Sequence, residues 1–301
     1  MFNSKPIVEN ITETALSDSM EFSKYHGSGN DFVLINNMDK RVEKFLKDTG
    51  LNLNEFVRRI CAPHFGIGAD GLILIEKPED PSNHFKWQFF NPDGSLGEMC
   101  GNGARCAIRF AYDRKIVEEG CQTVRFETLV GVIKGQILQG GKSVRIQLTK
   151  PSIIREVLAV RVGEIKFEGT YLEVGVPHFV VEVEDLEGFD VLRFGREIRY
   201  HETFGPRGTN VNFVKPMSEG TIMVRTYERG VENETFSCGT GVVASAIACR
   251  LKGKIKEKEV KVKTRSGEVL KVFFGDNDKI FLEGSVVKVF DGILSNEVFG
   301  L

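Results

Sequence analysis

What this sequence lacks narrows its chemistry early. No apolar run approaches the ~20 residues that a membrane-spanning helix needs. The first 20 residues, MFNSKPIVENITETALSDSM, hold no apolar core of the kind a signal peptide carries. They read as a polar extension (1–21), with the folded part beginning near Phe22, so the Asn-Ile-Thr sequon at Asn10 carries no meaning. The formal net charge is −2, which gives no basic footprint for nucleic acid. No G-x-x-x-x-G-K-[ST] segment exists, which excludes a P-loop. None of the six cysteines has a partner at C-x-x-C spacing, which disfavours zinc and thioredoxin-type redox sites. A chain of this length without an export signal suits reduced thiols in the cytoplasm.

One glycine cluster invites a wrong reading. GIGADG (66–71) matches G-x-G-x-x-G letter for letter. A dinucleotide site needs that motif after a strand and before a helix. Here it follows a helical pattern and Pro63, and precedes the strand-like LILIE.

What is present is a duplicated thiol motif. Cys100 opens MCGNGARCAIRFAYDR, and Cys238 opens SCGTGVVASAIACRLK. Each is followed by Gly, a polar residue (Asn102 or Thr240), a second Gly, and an apolar run suited to a buried helix. A helix N-terminus presents unpaired N–H groups and partial positive charge, so it binds anions and is expected to lower a thiol pKa. Two such starts suggest two thiols facing one substrate. Cys106 and Cys249 fall inside the apolar runs and read as core; Cys61 and Cys121 carry no motif.

The surroundings repeat as well. After Cys100 come VRFETLVGVIKGQIL and VRIQL; after Cys238 come VKVKTRSGEVLKVFF and KIFLEG. Each reads strand, tight turn, strand, strand. Upstream, FFNPDGSLGEMC parallels TYERGVENETFSC. The chain is therefore expected to be a duplication. Strands are expected at 31–36, 72–76 and 85–90, and near 171–175, 178–184, 209–214 and 221–227, with a helix at 54–61. Lys150-Pro151 reads as a hinge, and VVKVFDGILS as a further strand pair.

Polar residues gather at strand ends and turns: Asn30 in HGSGNDF, Asn91 in FFNPDG, Asn210 in GTNVNF, and Glu228-Arg229 in TYERG. Neutral donors plus one fork-shaped cation suit a small zwitterion with a carboxylate distant from the reacting carbon. His178, in GVPHFV, directly precedes an apolar strand.

Together YHGSGNDFVLIN, GIGADG, FFNPDGSLGEMCGNGARC, GVPHF, GTNVNF, YERG and SCGTG resemble the diaminopimelate epimerase family, in order, from about Phe22 onward. The resemblance implies an α/β (α+β) fold of two pseudo-symmetric domains, each a curved, mostly antiparallel sheet around a central helix. It assigns 22–149 and 288–301 to the half carrying Cys100, and 150–287 to the half carrying Cys238. It implies epimerisation of LL- to meso-diaminopimelate, without cofactor or metal, in lysine and peptidoglycan precursor synthesis. Cys100 and Cys238 carry over as the catalytic pair. Asn30, Asn91, Gly101, Asn102, Asn210, Glu228, Arg229, Gly239 and Thr240 carry over as substrate contacts, and His178 and Glu228 as residues that adjust the thiol pKa values. Partners are confined to the amino-acid substrate, with no nucleic acid or membrane; a homodimer is compatible with the sequence. Two positions depart from the family pattern: Gly71 where some members have Gln, and Val176 where many have Asn. Open beside this reading stand a proline- or histidine-type racemase and, more distantly, a thiol redox or binding protein.

Overall fold

The computed structural model describes residues 20–97, 99–148, 150–218 and 220–301. The expected polar extension and the Asn10 sequon lie, but for the extension's last two residues, outside the described residues. The first run of elements is β1 (Glu21–Gly27), β2 (Asn30–Asn36), α1 (Arg41–Thr49), α2 (Leu53–Cys61), β3 (Leu72–Glu76), β4 (Phe85–Phe90), α3 (Gly101–Asp113), β5 (Val124–Thr128), β6 (Gly131–Leu138) and β7 (Ser143–Gln147). The second is β8 (Ser152–Val162), β9 (Ile165–Val174), β10 (Val176–Glu182), α4 (Val191–Arg199), β11 (Asn210–Pro216), β12 (Thr221–Glu228), β13 (Asn233–Thr235), α5 (Gly239–Leu251), β14 (Glu259–Lys263), β15 (Val269–Phe274) and β16 (Ile280–Ser285). A final strand, β17 (Val287–Ile293), follows.

The strand pairings make the duplication explicit. In the first half the strands lie side by side as β17-β1-β2-β3-β4-β5-β6-β7. Their pairings run antiparallel, antiparallel, parallel, antiparallel, parallel, antiparallel, antiparallel. In the second half the order is β8-β9-β10-β11-β12-β14-β15-β16, and the series of senses is the same. The two ribbons join where β7 pairs antiparallel with β16, their corresponding last strands. β17 is thus the counterpart of β8.

Each ribbon encloses one helix. Every residue of α5 from Gly241 to Cys249 is buried, and ten residues of α3 are. A helix apolar on all sides is stable only when surrounded. Val242, Val243 and Ile247 of α5 pack in one continuous core with Ala104, Ile108, Phe110, Ile146 and Leu282. Burying a side chain of this kind contributes about 1.5–3 kcal/mol. Cys106 and Cys249 belong to this core, as expected. The opposite sheet faces carry smaller cores: Phe56, Val57 and Ile60 of α2 on the first half, Val191 and Ile198 of α4 on the second.

One expectation fails here. VVKVFDGILS is a single strand and not a strand pair. Asp291-Gly292 reads as a turn signal, but Asp291 accepts a hydrogen bond from Ser23 Oγ at 2.6 Å and pairs with Arg114 at 3.1 Å. A Cβ at Gly292 would lie 2.5 Å from Phe22 Cζ, so the glycine serves close packing of β17 on β1 rather than a reversal.

Candidate active site

Both motif cysteines stand at helix N-caps. Cys100 caps α3, its sulfur accepting from the Gly103 amide at 3.4 Å. Cys238 caps α5, with Thr240 Oγ1 at 3.5 Å from its sulfur. The two helix starts abut. Asn102 Nδ2 donates to the Ser237 carbonyl at 3.3 Å, linking the first turn of one helix to the entry of the other. A Cβ on Gly239 would lie 3.7 Å from Asn102 Oδ1 and 3.9 Å from Gly101 Cα. Gly241 has no room for a Cβ, which would meet Asn212 Oδ1 at 2.3 Å.

Asn30 reaches Cys100 because of a tight turn. Ser28 and Gly29 both have positive φ (60° and 81°), the pattern of a two-residue hairpin between β1 and β2. Asn30 then opens β2, and its Oδ1 accepts from the Cys100 thiol at 3.6 Å and from Asn102 Nδ2 at 3.3 Å. Its Nδ2 donates to Asp70 at 2.8 Å, which fixes which end of the amide faces the thiol. Asp70 is the fifth residue of the GIGADG segment, which is a loop between α2 and β3 and not a dinucleotide turn. Asp70 was not anticipated as part of the site.

Glu228 ends β12 and accepts from Thr235 Oγ1 at 2.9 Å. Burial raises its carboxyl above the ordinary range, and the charge of Asp70 adds to the rise; Thr235 and the Cys238 thiol oppose it through hydrogen bonds. Arg229 makes no ion pair among the described residues; its Nη1 donates to the Arg207 carbonyl at 3.2 Å.

Two of the asparagines are otherwise engaged. Asn210 Oδ1 accepts from the Arg229 amide at 2.9 Å, and its Nδ2 donates to the Pro177 carbonyl at 3.0 Å. It ties the starts of β10 and β11 to the end of β12. Asn91 Nδ2 donates to Ser95 Oγ at 3.0 Å within its own turn. Among the described residues no hydrogen bond ties Asn91 to either thiol. His178 is fully buried, and Asn212 Nδ2 lies 3.2 Å from its Nδ1. Asn212 Oδ1 accepts from Thr226 at 2.9 Å, so its NH2 faces the ring and Nδ1 accepts. His178 is therefore the Nε2–H tautomer. Burial, with help from the Arg229 charge, lowers its pKa to about 3. Near neutral pH the ring is uncharged, and its buried Nε2 has no hydrogen-bond partner among the described residues.

The expected lowering of the thiol pKa values is overturned. Burial pushes Cys100 up to about 11, with the Glu228 charge adding to it and the Gly103 and Asn102 amides opposing. Cys238 is pushed up further, by burial first and by Glu228 next. A helix terminus contributes typically 0.3–1 kcal/mol, roughly half a pH unit. Full desolvation of a thiolate is worth several units, so it wins. Gly71, the first departure from the family pattern, sits where a Cβ would lie 2.7 Å from the Phe90 carbonyl oxygen. The longer side chain of other members is therefore not accommodated here without a backbone shift. Val176 opens β10, paired with Val174.

Two helix N-termini that abut, each capped by a cysteine, on a duplicated sheet, define a two-lobed α/β fold with paired thiols at its seam. The fold is that of a solved hydroxyproline epimerase from Agrobacterium vitis: TM-score 0.68 at 14% identity, covering 94% of this chain and 97% of that one. The sequence is more particular. The family model for diaminopimelate epimerase matches residues 22–154 and 170–289. The diaminopimelate epimerase of Aquifex aeolicus (strain VF5) is 58% identical over 280 residues, 93% of this chain and 99% of the relative. That of Hydrogenobaculum sp. (strain Y04AAS1) is 48% identical over 282 residues, 93% of this chain and 100% of the relative. The chain belongs to the diaminopimelate epimerase family.

Proposed function

We propose that this protein interconverts LL- and meso-diaminopimelate, without a cofactor, by proton exchange between Cys100 and Cys238. The carrying observation is the abutment of the two cysteine-capped helix starts, joined by the Asn102–Ser237 hydrogen bond. An α-carboxylate seated there would receive amide N–H groups from both helices. Those donors offset the charge that develops when the α-proton leaves. One sulfur, as thiolate, takes the α-proton; the other, as thiol, returns its own proton to the opposite face. The roles exchange for the other isomer, so the pair titrates jointly.

The raised thiol pKa values fit this division. A buried sulfur of high pKa is a strong base once ionised, and a substrate ammonium in the cleft favours ionisation. Asn30, Asn102, Gly101, Gly239, Thr240 and Glu228 surround the reacting centre in this reading. Arg229, free of carboxylate partners, binds the distal carboxylate. Asn210 acts through the backbone it braces and His178 through its Nε2–H. Asn91 has the weakest support, its amide being engaged by Ser95. The halves we take to be 22–149 with 288–301, and 150–287.

The reaction belongs to lysine and peptidoglycan precursor synthesis. Six unpaired thiols suit the cytoplasm, and among the described residues no helix is long and apolar enough to cross a membrane. A homodimer suits the open edge of β17, which exposes Val289, Phe290 and Ile293.

The test is an assay of reduced protein in deuterated water against LL-diaminopimelate, proline and histidine. At low conversion the epimerised product should carry deuterium at the inverted carbon while residual substrate stays protiated. Turnover of proline or histidine alone would replace the substrate assignment. Retention of the original α-proton in product would overturn the two-thiol mechanism.

A further inference from the structure

Arg105 lies one turn into α3 and is the largest fully buried side chain among the described residues. It forms no ion pair there. Nη2 donates to Ser28 Oγ at 2.9 Å, whereas Nε and Nη1 have no protein partner. A buried guanidinium cannot shed its charge and is costly to leave unpaired. The fold nonetheless makes room for it. A Cβ at Gly27 would lie 3.1 Å from Nη2, and one at Gly284 would lie 3.1 Å from Nε and Cζ. Helical side chains lean toward the N-terminus of their helix. The guanidinium accordingly sits beside the first turn: the same Gly27 Cβ would lie 3.3 Å from the Asn102 carbonyl oxygen.

We propose that Arg105 is a positioning residue whose fixed positive charge, buried behind the first turn of α3, favours the thiolate of Cys100. The proposal rests on Cys100 being a reacting thiol. The groups facing Cys100 otherwise offer no cation. Asn30 from β2 and Asn102 from its own helix are neutral, Cys106 is a core thiol, and Glu228 and Cys238 from the second half oppose a second negative charge. Glu268, on the turn before β15, is the foremost negative charge acting on Arg105, but it forms no ion pair with the guanidinium; its Oε1 accepts from the Ser285 amide and hydroxyl at 2.9 and 2.6 Å. A Cys100 thiolate would then be a second anion for a buried cation that no carboxylate contacts directly.

The experiment measures iodoacetamide labelling of Cys100 and Cys238 separately, by peptide mapping, with no substrate present. Removing the charge by Arg105→Gln should raise the Cys100 pKa by about one unit or more, cutting its thiolate tenfold. Thiolate nucleophilicity rises with pKa, so the labelling rate at pH 8 should fall at least about threefold. Cys238 labelling should change less. Arg105→Lys should keep the wild-type rate at Cys100. If Arg105→Gln does not fold, Ser28→Asp, which sets a carboxylate on the guanidinium, should slow Cys100 labelling, and Ser28→Asn should not. An unchanged Cys100 rate in Arg105→Gln, equal slowing of both thiols, or equal effects of Ser28→Asp and Ser28→Asn would overturn the proposal. Because labelling is read without diaminopimelate, failure here is separate from failure of the substrate assignment.

Discussion

Glu228 stands against the Cys238 thiol, and Asn30 against the Cys100 thiol. A carboxylate held by Thr235 faces one sulfur; a neutral amide held by Asp70 faces the other. The duplicated fold thus places its two cysteines in chemically unequal settings.

Serine at either position should leave a folded, nearly inactive protein. A positioned acid or base contributes ~10²–10⁴-fold, and a hydroxyl is a far weaker acid than a thiol. Cys100→Ser and Cys238→Ser should each lose at least that factor in kcat at unchanged Tm. Near-normal turnover in either would remove that cysteine from the chemistry.

Arg229→Lys should weaken substrate binding more than it slows proton transfer. Lysine keeps the charge but loses the fork that matches a carboxylate. A charged hydrogen bond is worth about 1.5–3 kcal/mol, which is roughly a 10–100-fold rise in KM with kcat little changed. Steady-state kinetics on LL-diaminopimelate separate the two. An unchanged KM would mean the distal carboxylate is held elsewhere.

His178 should make the fold acid-sensitive. Its pKa is about 3 in the folded protein against 6.5 when exposed. The unfolded chain therefore binds a proton between these values and the folded one does not. Stability should fall as pH drops below 6.5, by about 2 kcal/mol at pH 5. Urea unfolding at pH 7 and pH 5 should show this difference for wild type, and less of it for His178→Gln. Equal pH sensitivity in the two would place the acid-labile group elsewhere.

Gly241→Ala sets two effects against each other. Alanine in a helix gains about 1 kcal/mol over glycine. The added Cβ, however, would lie 2.3 Å from Asn212 Oδ1, in the chain that holds Thr226, Asn212 and His178. Crowding of this kind costs about 1–3 kcal/mol. A net loss of stability and of turnover is expected; a more stable, fully active variant would show that Asn212 moves aside freely.

Much of this was legible in the residues. The paired Cys-Gly-polar-Gly starts and their matching downstream strands announced two halves with one buried helix each. The strands 30–36, 72–76 and 85–90 showed in their apolar runs. Other elements did not show. α1 and α4 are nine residues each and charged on their outer faces (RVEKFLKDT, VLRFGREIR), too short for an apolar period to stand out, although Asp190 caps the start of α4 and Gly50 the end of α1. β8 is an edge strand exposed along most of its length, so no alternation marks it. Asp70 was hidden inside a motif whose familiar meaning did not apply; its role appears only when the 28–29 turn brings Asn30 beside it. The thiol pKa values were misread because a helix start is visible in sequence and burial at a cleft is not.

The equivalence of β17 with β8 bears on how the molecule comes into being. The strands β8 to β16 follow one another without interruption and can close around α5 as soon as they are synthesised. Their counterpart cannot: β1 pairs on one side with β2 and on the other with β17, the last strand in chain order among the described residues. On the ribosome, the Cys100 lobe waits with an unsatisfied edge until the Cys238 lobe has emerged. The Cys238 lobe can therefore close first and the Cys100 lobe second, so the pairing of the two cysteine-capped helix starts is completed only when the final strand docks on β1.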